Sequence, residues 1–516
     1  MKRNNLKQMI FTRHFAGKSS VFNGKLTIMI LICTYILTCN GCKKLTDVNP
    51  PTTSITGASA YTSDATAAAV MTGLYTNLSG SAGGNTSTAG TVASLSLFPG
   101  MSSDELTYKA GLKNTTALAY YTNSLLSSAS IRFGTEYWIK LYPYIFTCND
   151  AITGLNASTT LTPAVKQQLL GEAKYMRAFF YFYLVNLYGD LPLALTNDYK
   201  INDVLARSPK TVVYQQIITD LKDAQNLLSK TYLDASLSAA YPERVRPTYW
   251  AATALLSRVY LFNGNLTGDN SNYTNSETQA SSLIGNTSLF NLSPLTNTFL
   301  RFSLGNNEAI WQLQPVTSNP YNTYDARVFI APATGPGTGG INYGAYLSNY
   351  LVSSFEAGDN RKTVWTGKVT AGGITYYFPF KYKVASTVTT VSEFPTLLRL
   401  GEQYLIRAEA RAQLGENNAQ DDLNAIRTRA GLPNYAGAID KASLLAAILH
   451  ERQVELFAEL GQRWLDLKRT GSVDVVMGTG GVCAAKGGTW VSGKQLYPIF
   501  FNDLQDDANL VQNPGY

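Results

Sequence analysis

The chain has 516 residues, of which 45% are hydrophobic and 15% are charged. This balance excludes an intrinsically disordered protein and is typical of a folded protein with a large core. The formal net charge of +7 comes almost entirely from residues 1–41, which hold six Lys and Arg residues and no acidic residue. The rest of the chain is close to neutral, so nothing indicates nucleic-acid binding, which needs a concentrated basic surface.

The N-terminal segment has the features of a secretory signal. Residues 1–25 are basic and polar, and residues 26–37 form an apolar run of 12. Such a run is too short to span a bilayer as a mature helix, so it predicts a signal-peptide core. Cys42, which follows Gly41, is predicted to be lipidated, with Cys39 as the alternative residue. The other interpretation is an ordinary secretory signal that is followed by an incidental cysteine.

Apolar residues recur at spacings of three and four in several segments, which is the period of an amphipathic helix. Three of these segments end in similar short motifs that precede a further helix, at 187–190, 262–265 and 413–416. Repeated helix–turn–helix units are typical of a tetratricopeptide-like array. The predicted helices lie at residues 63–78, 138–155, 167–188, 208–228, 245–264, 397–414, 419–430 and 444–471.

Residues 281–393 have a different character, because Gly, Pro, Thr and aromatic residues alternate there. A short run around Trp311 has strand character, whereas residues 319–350 form a long, irregular segment rich in Tyr. Residues 102–114 form another polar loop. Long loops on a helical scaffold are usually functional, so these segments are predicted to carry the binding function.

The segment 444–471 is predicted to be one long amphipathic helix. Glu451, Glu455 and Glu459 recur every four residues in it, so they would share one face and repel each other unless cations lie nearby. One interpretation is a general-acid pair or a metal site. The favoured interpretation is a scaffold in which buried Glu–Arg pairs hold neighbouring helices together, because histidines at metal-ligand spacing are missing.

Three arginines are predicted partners for these carboxylates. Arg452 precedes Glu455 by three residues, and Arg463 follows Glu459 by four, so both pairs could form within the helix. Arg177, in the predicted helix at 167–188, is a candidate partner from another part of the chain. If this assignment is correct, Arg177→Ala should destabilise the fold.

Known catalytic motifs are missing from the chain. There is no G-x-S-x-G elbow, no Walker loop and no dinucleotide fingerprint. His450 is the only histidine after residue 41, and it lies in the predicted C-terminal helix. Cys148 and Cys483 are predicted to be small buried hydrophobes and not a disulfide framework. No catalysis, cofactor or metal is therefore expected, although a carboxylate pair for glycoside hydrolysis depends on three-dimensional distances.

Several long motifs carry a resemblance to one family. The most specific is E-R-x-x-E-L-x-x-E-x-x-x-R-W-x-D-L-x-R-T-G, which begins at Glu451. Others are GEAKYMRAFFYFYLVNLYGDLP, YLIRAEARAQLG, DDLNAIRTRAGLP and the closing N-P-G-Y, and C-K-K-L-T-D-V-N-P begins at Cys42. These motifs resemble the SusD/RagB family of outer-membrane nutrient-binding lipoproteins. The tail departs from the family at Phe500 and Phe501, where small or polar residues are more usual.

The resemblance implies an all-α fold, with a tetratricopeptide-like helical array and a large, irregular, loop-rich ligand-binding region. Within the SusD-like domain, 61–516, it separates a helical scaffold from that region. The implied divisions are a signal peptide at 1–41, a lipid-anchored tether at 42–60, scaffold at 61–280 and 394–471, the loop-rich region at 281–393 and a tail at 472–516.

The resemblance also implies a surface lipoprotein of the outer membrane. Such a protein captures oligosaccharide, acts as a lid over a SusC-like TonB-dependent transporter and hands the ligand over. A peptide carrier like RagB is an alternative with the same transporter, because tyrosine surfaces also bind extended peptides. A lipoprotein hydrolase that uses a carboxylate pair is a third hypothesis.

Tyrosine in loops suits the expected ligand, because its ring stacks on the apolar face of a sugar and its hydroxyl forms hydrogen bonds. Neighbouring Asn and Asp side chains can bind the sugar hydroxyls. For each candidate, packing within its own loop is the alternative interpretation. The candidate ligand-binding residues are Asp104, Tyr108, Tyr321, Asn322, Tyr324, Asp325, Tyr343 and Tyr346.

Overall fold

Helices dominate the computed structural model, which describes residues 57–80, 90–315, 322–337 and 344–516. These residues belong to one unit, Gly57–Tyr516, and the predicted all-α, tetratricopeptide-like fold is confirmed. The helices, α1 to α19 in chain order, are Gly57–Ala60, Asp64–Ser79, Val92–Ser102, Thr115–Tyr121, Glu136–Ala157, Pro163–Tyr188, Tyr199–Asn202, Lys210–Leu227, Tyr249–Thr267, Asn270–Ile284, Tyr324–Phe329, Asn349–Ser354, Asn360–Val364, Leu400–Leu414, Ala419–Arg429, Lys441–Glu455, Gln462–Arg469, Val482–Ala485 and Phe501–Asp506.

The strands are short and form two-stranded antiparallel sheets, which pair β1 with β7, β2 with β3, β4 with β5, β6 with β10 and β8 with β9. The predicted strand around Trp311 is confirmed as β6, whose partner β10 leads directly into helix α14. The strands, β1 to β10, are Leu106–Tyr108, Leu126–Ser127, Arg132–Phe133, Leu191–Pro192, Arg207–Ser208, Ala309–Gln312, Ala345–Leu347, Thr366–Ala371, Ile374–Pro379 and Thr396–Arg399.

The long helices stack in series, so that each packs against the next. Helix α5 contacts α6, α6 contacts α8, α8 contacts α9, α9 contacts α10, and α10 contacts α14, which in turn contacts α15 and α16. This order is that of a helical-repeat array, in which each element is stabilised chiefly by its neighbours. The stack spans both sides of the loop-rich region, because α14 joins α10 across residues 285–399.

Helix α6 is the centre of the core. Pro163 occupies its first turn, and Gly189, which has a φ of 84°, ends it, as expected for proline at the start and glycine at the end of a helix. The aromatic residues of this helix are buried, although they lie on nearly every face of it. Trp311 of β6 enters this cluster, with its ring centroid 5.1 Å from that of Tyr175 and 5.6 Å from that of Phe179. The strand therefore anchors the loop-rich region to the helical stack.

The prediction of one continuous helix over 444–471 is wrong. Helix α16 ends at Glu455 and α17 begins at Gln462, and Ala458, Leu460 and Gly461 between them have φ values of 52°, 50° and 70°. The turn is stabilised by contacts with other parts of the chain. The Ala458 N–H donates to the Glu105 carboxylate at 2.9 Å, and the Leu460 N–H donates to the Ser96 hydroxyl at 3.0 Å. Tertiary hydrogen bonds thus outweigh the local helical periodicity.

The loop-rich region is also more regular than predicted. Besides three short helices, it contains the hairpin β8–β9, whose strands pair from Thr366 with Pro379 to Ala371 with Ile374. Gly372 and Gly373 form its two-residue turn with φ values of 60° and 78°, as a tight hairpin turn requires. Across the described residues, no helix is both long and apolar enough to span a membrane.

Candidate functional site

Two of the segments predicted to bind ligand meet in one small sheet. Strand β1, from the polar loop at 102–114, pairs with β7, which lies at the end of the tyrosine-rich segment at 319–350. In this register Tyr108 lies opposite Ala345, and Thr107 lies opposite Tyr346. The Lys109 N–H extends the pairing by donating to the carbonyl of Gly344 at 2.9 Å. The fold therefore joins segments that are more than two hundred residues apart.

Four tyrosines lie around this sheet, and we call them the tyrosine surface: Tyr121, Tyr346, Tyr350 and Tyr376. The rings of Tyr346 and Tyr376 meet edge to face, with centroids 5.0 Å apart. Tyr121 lies beside the buried Tyr108, at 6.3 Å between centroids, and Tyr350 is 45% exposed. The set combines residues from α4, β7, α12 and β9, so no single stretch of sequence defines it.

The tyrosine surface offers both apolar rings and hydroxyl groups. Burial raises the pKa of Tyr346, and the nearby hydroxyls of Tyr121 and Tyr376 add to the rise. Burial likewise raises the pKa of Tyr121. Both phenols therefore stay protonated near neutral pH and can donate as well as accept hydrogen bonds. Lys109 places its ammonium group 5.7 Å from the centre of the Tyr376 ring, which adds a cation to the edge of this surface.

Two predicted ligand-binding residues of the first loop are buried behind the tyrosine surface. The carboxylate of Asp104 forms a bidentate ion pair with Arg463, at 2.8 and 2.7 Å, a strong and directional geometry. The Tyr108 hydroxyl accepts a hydrogen bond from the Asn114 N–H at 3.0 Å. In this conformation both side chains are committed to internal contacts that hold the loop in place.

Two of the predicted residues of the second segment are likewise buried, and a third is partly exposed. Asn322 is buried and donates from Nδ2 to Ser392 and Glu393, at 3.1 and 3.3 Å. Asp325 is also buried, and burial raises its pKa to about 7. Tyr324 is only half-buried, and its ring centre lies 5.1 Å from the guanidinium of Arg327. Among the remaining predictions, Tyr321, Tyr343 and the lipidation site Cys42 lie outside the described residues.

Sequence reasoning did not include Tyr121, Tyr350, Tyr376 or Lys109 among the candidates. Tyr376 belongs to the β8–β9 hairpin, whose signal was the Gly-Gly pair beside the Tyr- and Phe-rich run at 374–378. Tyr121 ends helix α4, and nothing in its local sequence marks it as part of a site. The packing of α4 against β1 and of the hairpin strand β9 against β7 brings these residues together.

The three late glutamates lie in a buried ion-pair cluster, which consists of Glu308, Glu451, Glu455, Glu459, Arg361, Arg399 and Arg429 with Lys381. Arg399 contacts Glu308 at 2.7 Å, Glu455 at 2.6 Å and Glu459 at 2.8 Å. Burial by itself would raise the pKa of Glu455, but Arg429, Arg399 and Arg361 hold it well below its usual range. Glu455 is therefore an ionised, fully paired carboxylate inside the protein, as the scaffold interpretation expects.

The arginines that were predicted to pair with the three late glutamates pair with other residues. Arg452 pairs with Asp466 at 2.8 Å and not with Glu455. Arg463 pairs with Asp104 and not with Glu459, because the turn at 456–461 separates the two.

Arg177 is not a partner of the late glutamates either. It binds Asp220 of helix α8, at 2.7 Å between Nη2 and the carboxylate, and also the side-chain oxygen of Asn149 at 2.9 Å. Helical spacing indicates which residues could pair within one helix. It carries no information on arginines that approach from other helices.

The described residues contain no group of three or more His, Cys, Asp or Glu side chains that could hold a metal ion. Cys148 and Cys483 are free and buried, which confirms the prediction for both. His450 directs Nε2 to the backbone carbonyl of Ser354 at 2.9 Å, so the one histidine of the described region has a structural contact.

Glu105 is a buried carboxyl that connects the tyrosine surface with the turn at 456–461. Burial raises its pKa to about 7, and the neighbouring Asp104 carboxylate adds to the rise. The Ala458 N–H and the cations of Lys381 and Arg463 act in the opposite direction. The native protein consequently holds a proton on Glu105 at mildly acidic pH.

A pH dependence of stability follows from this group. Between the ordinary pKa of 4.5 and the native value of about 7, the folded state binds more protons than the unfolded state, so stability falls as pH rises. Glu105→Gln keeps an acceptor for the Ala458 N–H. In this variant the decrease in the free energy of unfolding with rising pH is expected to be smaller by about 3 kcal/mol. Urea unfolding of both proteins between about pH 5 and about pH 8 measures it. A constant difference between the two across this range would contradict the assignment.

Comparison with known proteins identifies the fold. Residues 350–516 match the model described as "SusD family", and residues 62–261 match the model described as "Starch-binding associating with outer membrane". A relative from Formosa agariphila named "SusD-like protein P2" is 26% identical over 434 residues, which are 74% of this chain and 80% of that protein.

Solved structures agree with this result. A SusD superfamily protein from Bacteroides vulgatus superposes with a TM-score of 0.73 at 19% identity, covering 88% of this chain and 99% of that one. A structure described as "Laminarin binding SusD-like protein" has a TM-score of 0.68 at 22% identity, covering 87% and 99%. Together the two family models match more than half of the residues, at both ends of the helical stack, and the chain belongs to the SusD family.

Proposed function

We propose that the protein is a surface lipoprotein that captures oligosaccharides at the tyrosine surface and delivers them to a SusC-like TonB-dependent transporter. Membership of a carbohydrate-binding family that is associated with the outer membrane supports the first part. The lipid anchor at Cys42 and the transporter partnership extend this proposal, and they rest on the family resemblance.

The observation that carries the proposal is the pairing of β1 with β7. This pairing brings the half-exposed Tyr346 beside Tyr121 and Tyr376, at the surface of an otherwise helical scaffold. A pyranose ring presents an apolar C–H face, which stacks on aromatic rings, and a rim of hydroxyls, which bind phenolic groups. The rings of Tyr121, Tyr346 and Tyr350, of which Tyr346 packs on the buried Tyr376, match both requirements.

The residues first predicted from the sequence have two roles in this proposal. Tyr346 contacts the ligand, and Tyr321 and Tyr343, which lie in the segments 316–321 and 338–343, remain candidates for direct contact. Asp104 and Tyr108 act as positioning residues, because their internal hydrogen bonds fix the loop that carries β1.

Asn322 and Asp325 are also positioning residues in this proposal. Both are buried, and Asn322 binds the chain at 392–393, directly before β10. Tyr324 is half-buried at the start of α11 and is retained as a possible direct contact. Its replacement by Phe keeps the ring, so a weaker affinity would report the loss of its hydroxyl alone.

Tyr346→Ala is expected to weaken oligosaccharide binding about tenfold, which corresponds to about 1.4 kcal/mol, because it removes one stacking ring. Isothermal titration with laminarin oligosaccharides is the first measurement, since a protein of similar structure is described as laminarin-binding. A panel of other glycans follows if laminarin does not bind to the wild type. Tyr241→Ala, at a half-buried tyrosine outside the tyrosine surface, is the matched control and should leave the affinity unchanged.

Two outcomes would contradict the proposal. If Tyr346→Ala and Tyr350→Ala both bound glycan with wild-type affinity, the tyrosine surface would not be the site. If the protein retained peptides but no glycan in affinity electrophoresis, the carrier would be peptide-specific. Incubation with the same glycans checks for catalysis, and release of new reducing ends would favour the hydrolase hypothesis.

A further inference from the structure

A cleft, separate from the tyrosine surface, lies among helices and loops that contribute no residue to that surface. It has a volume of about 910 Å³ and is formed by α5, the segment at 192–205 that includes α7, and the C-terminal segment at 503–510. Its volume is in the range of a ligand-binding pocket. Phe146 and Tyr199 are two of its aromatic walls, and they are 46% and 64% exposed.

Exposed apolar residues concentrate in the segments that form this cleft. Of the sixteen large hydrophobic residues that are exposed in the described part of the chain, two line the cleft and four more are sequence neighbours of lining residues. Scattered apolar residues are normal on a protein surface, but a cluster around a concavity marks an interaction site. The six residues are Phe146, Leu195, Tyr199, Ile201, Val204 and Val511.

The charged residues that line the cleft are all acidic, and Arg207 lies close by, where its guanidinium donates to the carbonyl of Val511. Asp203, Asp503, Asp506 and Asp507 line it, and the described lining residues include no Lys or Arg. None of the four forms an ion pair with another described residue. Burial raises the pKa of Asp503, and the carboxylates of Asp506 and Asp507 add to the rise. The cleft therefore holds a cluster of like charges that a cationic partner would stabilise.

Asp503 also fixes the aromatic wall of the cleft. Its carboxylate accepts a hydrogen bond from the Trp138 indole at 2.7 Å, and the Trp138 ring lies 4.8 Å from that of Tyr142. The Tyr142 hydroxyl donates in turn to the carbonyl of Pro192 at 3.0 Å. This network connects all three elements of the cleft, so the concavity is a built feature of the fold and does not depend on one mobile side chain.

We propose that this cleft docks a basic, amphipathic segment of a protein partner, in which Lys or Arg residues alternate with aliphatic or aromatic ones. The carboxylates would bind the cations, and the exposed rings of Phe146 and Tyr199 would contact apolar side chains and cations alike. A neutral sugar fits less well, because it supplies no cation to offset the four carboxylates that line the cleft. The surface is separate from the glycan site, so either proposal can fail alone.

The test uses the full chain and three synthetic peptides of equal length. One alternates Lys with Leu, the second alternates Glu with Leu, and the third alternates Lys with Ser. Titration calorimetry should show binding of the Lys/Leu peptide, none of the Glu/Leu peptide, and at least about tenfold weaker binding of the Lys/Ser peptide. Raising the salt concentration should weaken the complex, because screening reduces the attraction of exposed charges.

Variants then place the peptide in the cleft. The double variant Asp506→Asn, Asp507→Asn should weaken binding of the Lys/Leu peptide at least about tenfold and reduce its salt dependence. Tyr199→Ser should weaken binding without changing the salt dependence. Asp421→Asn, at an exposed acid of helix α15, is the matched control and should bind the peptide like the wild type.

Three results would overturn the inference. The first is the absence of binding of the Lys/Leu peptide, and the second is binding that both cleft variants leave unchanged. The third is binding of a chitosan hexamer that the cleft variants abolish, because the cleft would then take an amino sugar and not a protein segment. Because the changed side chains are exposed or half-buried, the variants should melt like the wild type, and circular dichroism checks this before titration.

Discussion

Arg399→Met is expected to lower the free energy of unfolding by about 3–5 kcal/mol, the usual effect of removing one partner from a buried ion pair. The guanidinium of Arg399 contacts the carboxylates of Glu308, Glu455 and Glu459, and its side chain is buried. Without it, three acidic groups would lose a common counter-ion in an interior from which water is excluded. Urea unfolding followed by circular dichroism gives the difference.

Lys174→Met provides the matched control. Lys174 pairs with Asp223, and their side chains are 22% and 41% exposed, so its loss should cost at most about 1 kcal/mol. If both variants lost the same stability, the buried ion-pair cluster would not be the element that holds the loop-rich region to the C-terminal helices. A wild-type melting profile for Arg399→Met would contradict the scaffold interpretation altogether.

Gly461→Ala is expected to destabilise the protein by about 2–5 kcal/mol, through a left-handed backbone and a steric clash. Gly461 has a φ of 70°. A Cβ atom there would lie 2.7 Å from the Cβ of Pro99 and 2.9 Å from the carbonyl oxygen of Leu95. Helix α3 would have to move, and this helix precedes the strand that organises the tyrosine surface.

Gly471→Ala separates the two causes. Gly471 also has a φ of 70°, but an added Cβ would meet no atom within 4 Å, so only the backbone cost of about 1–2 kcal/mol remains. Thermal unfolding of the two variants should therefore differ by the contribution of the clash. Equal melting temperatures would mean that helix α3 does not pack closely on the turn at 456–461.

The helices that could be predicted were those with strong periodicity and clear end signals. The predicted helix at 245–264 corresponds to α9, Tyr249–Thr267. The predicted helix at 419–430 corresponds to α15, Ala419–Arg429, and agrees with it to within one residue at either end. The segment 444–471 failed because its periodicity continues through the turn, so local spacing gave no sign of the break. The hydrogen bonds that cause it come from Glu105 and Ser96, more than three hundred residues earlier.

The candidate site was predicted only in part, because its residues also come together from distant segments of the chain. Both loops that build it could be found from composition, and Tyr346 was among the candidates. Which side chains face inward could not be found, because a loop has no fixed period. Asp104 and Asn322 have the same residue types as ligand-contacting groups, but the fold uses them for internal ion pairs and hydrogen bonds.

By itself the amino-acid sequence determined the helical class, the position of the loop-rich region and the family, because helix periodicity, capping residues and long motifs are local properties of the chain. Only the tertiary structure decided which tyrosines form one surface and which arginines neutralise Glu455. It also decided where four aspartates, which form no ion pair with another described residue, line one cleft. Contacts of this kind depend on how distant segments pack, and hydrogen bonds between such segments can override local preference, as they do at Ala458 and Leu460.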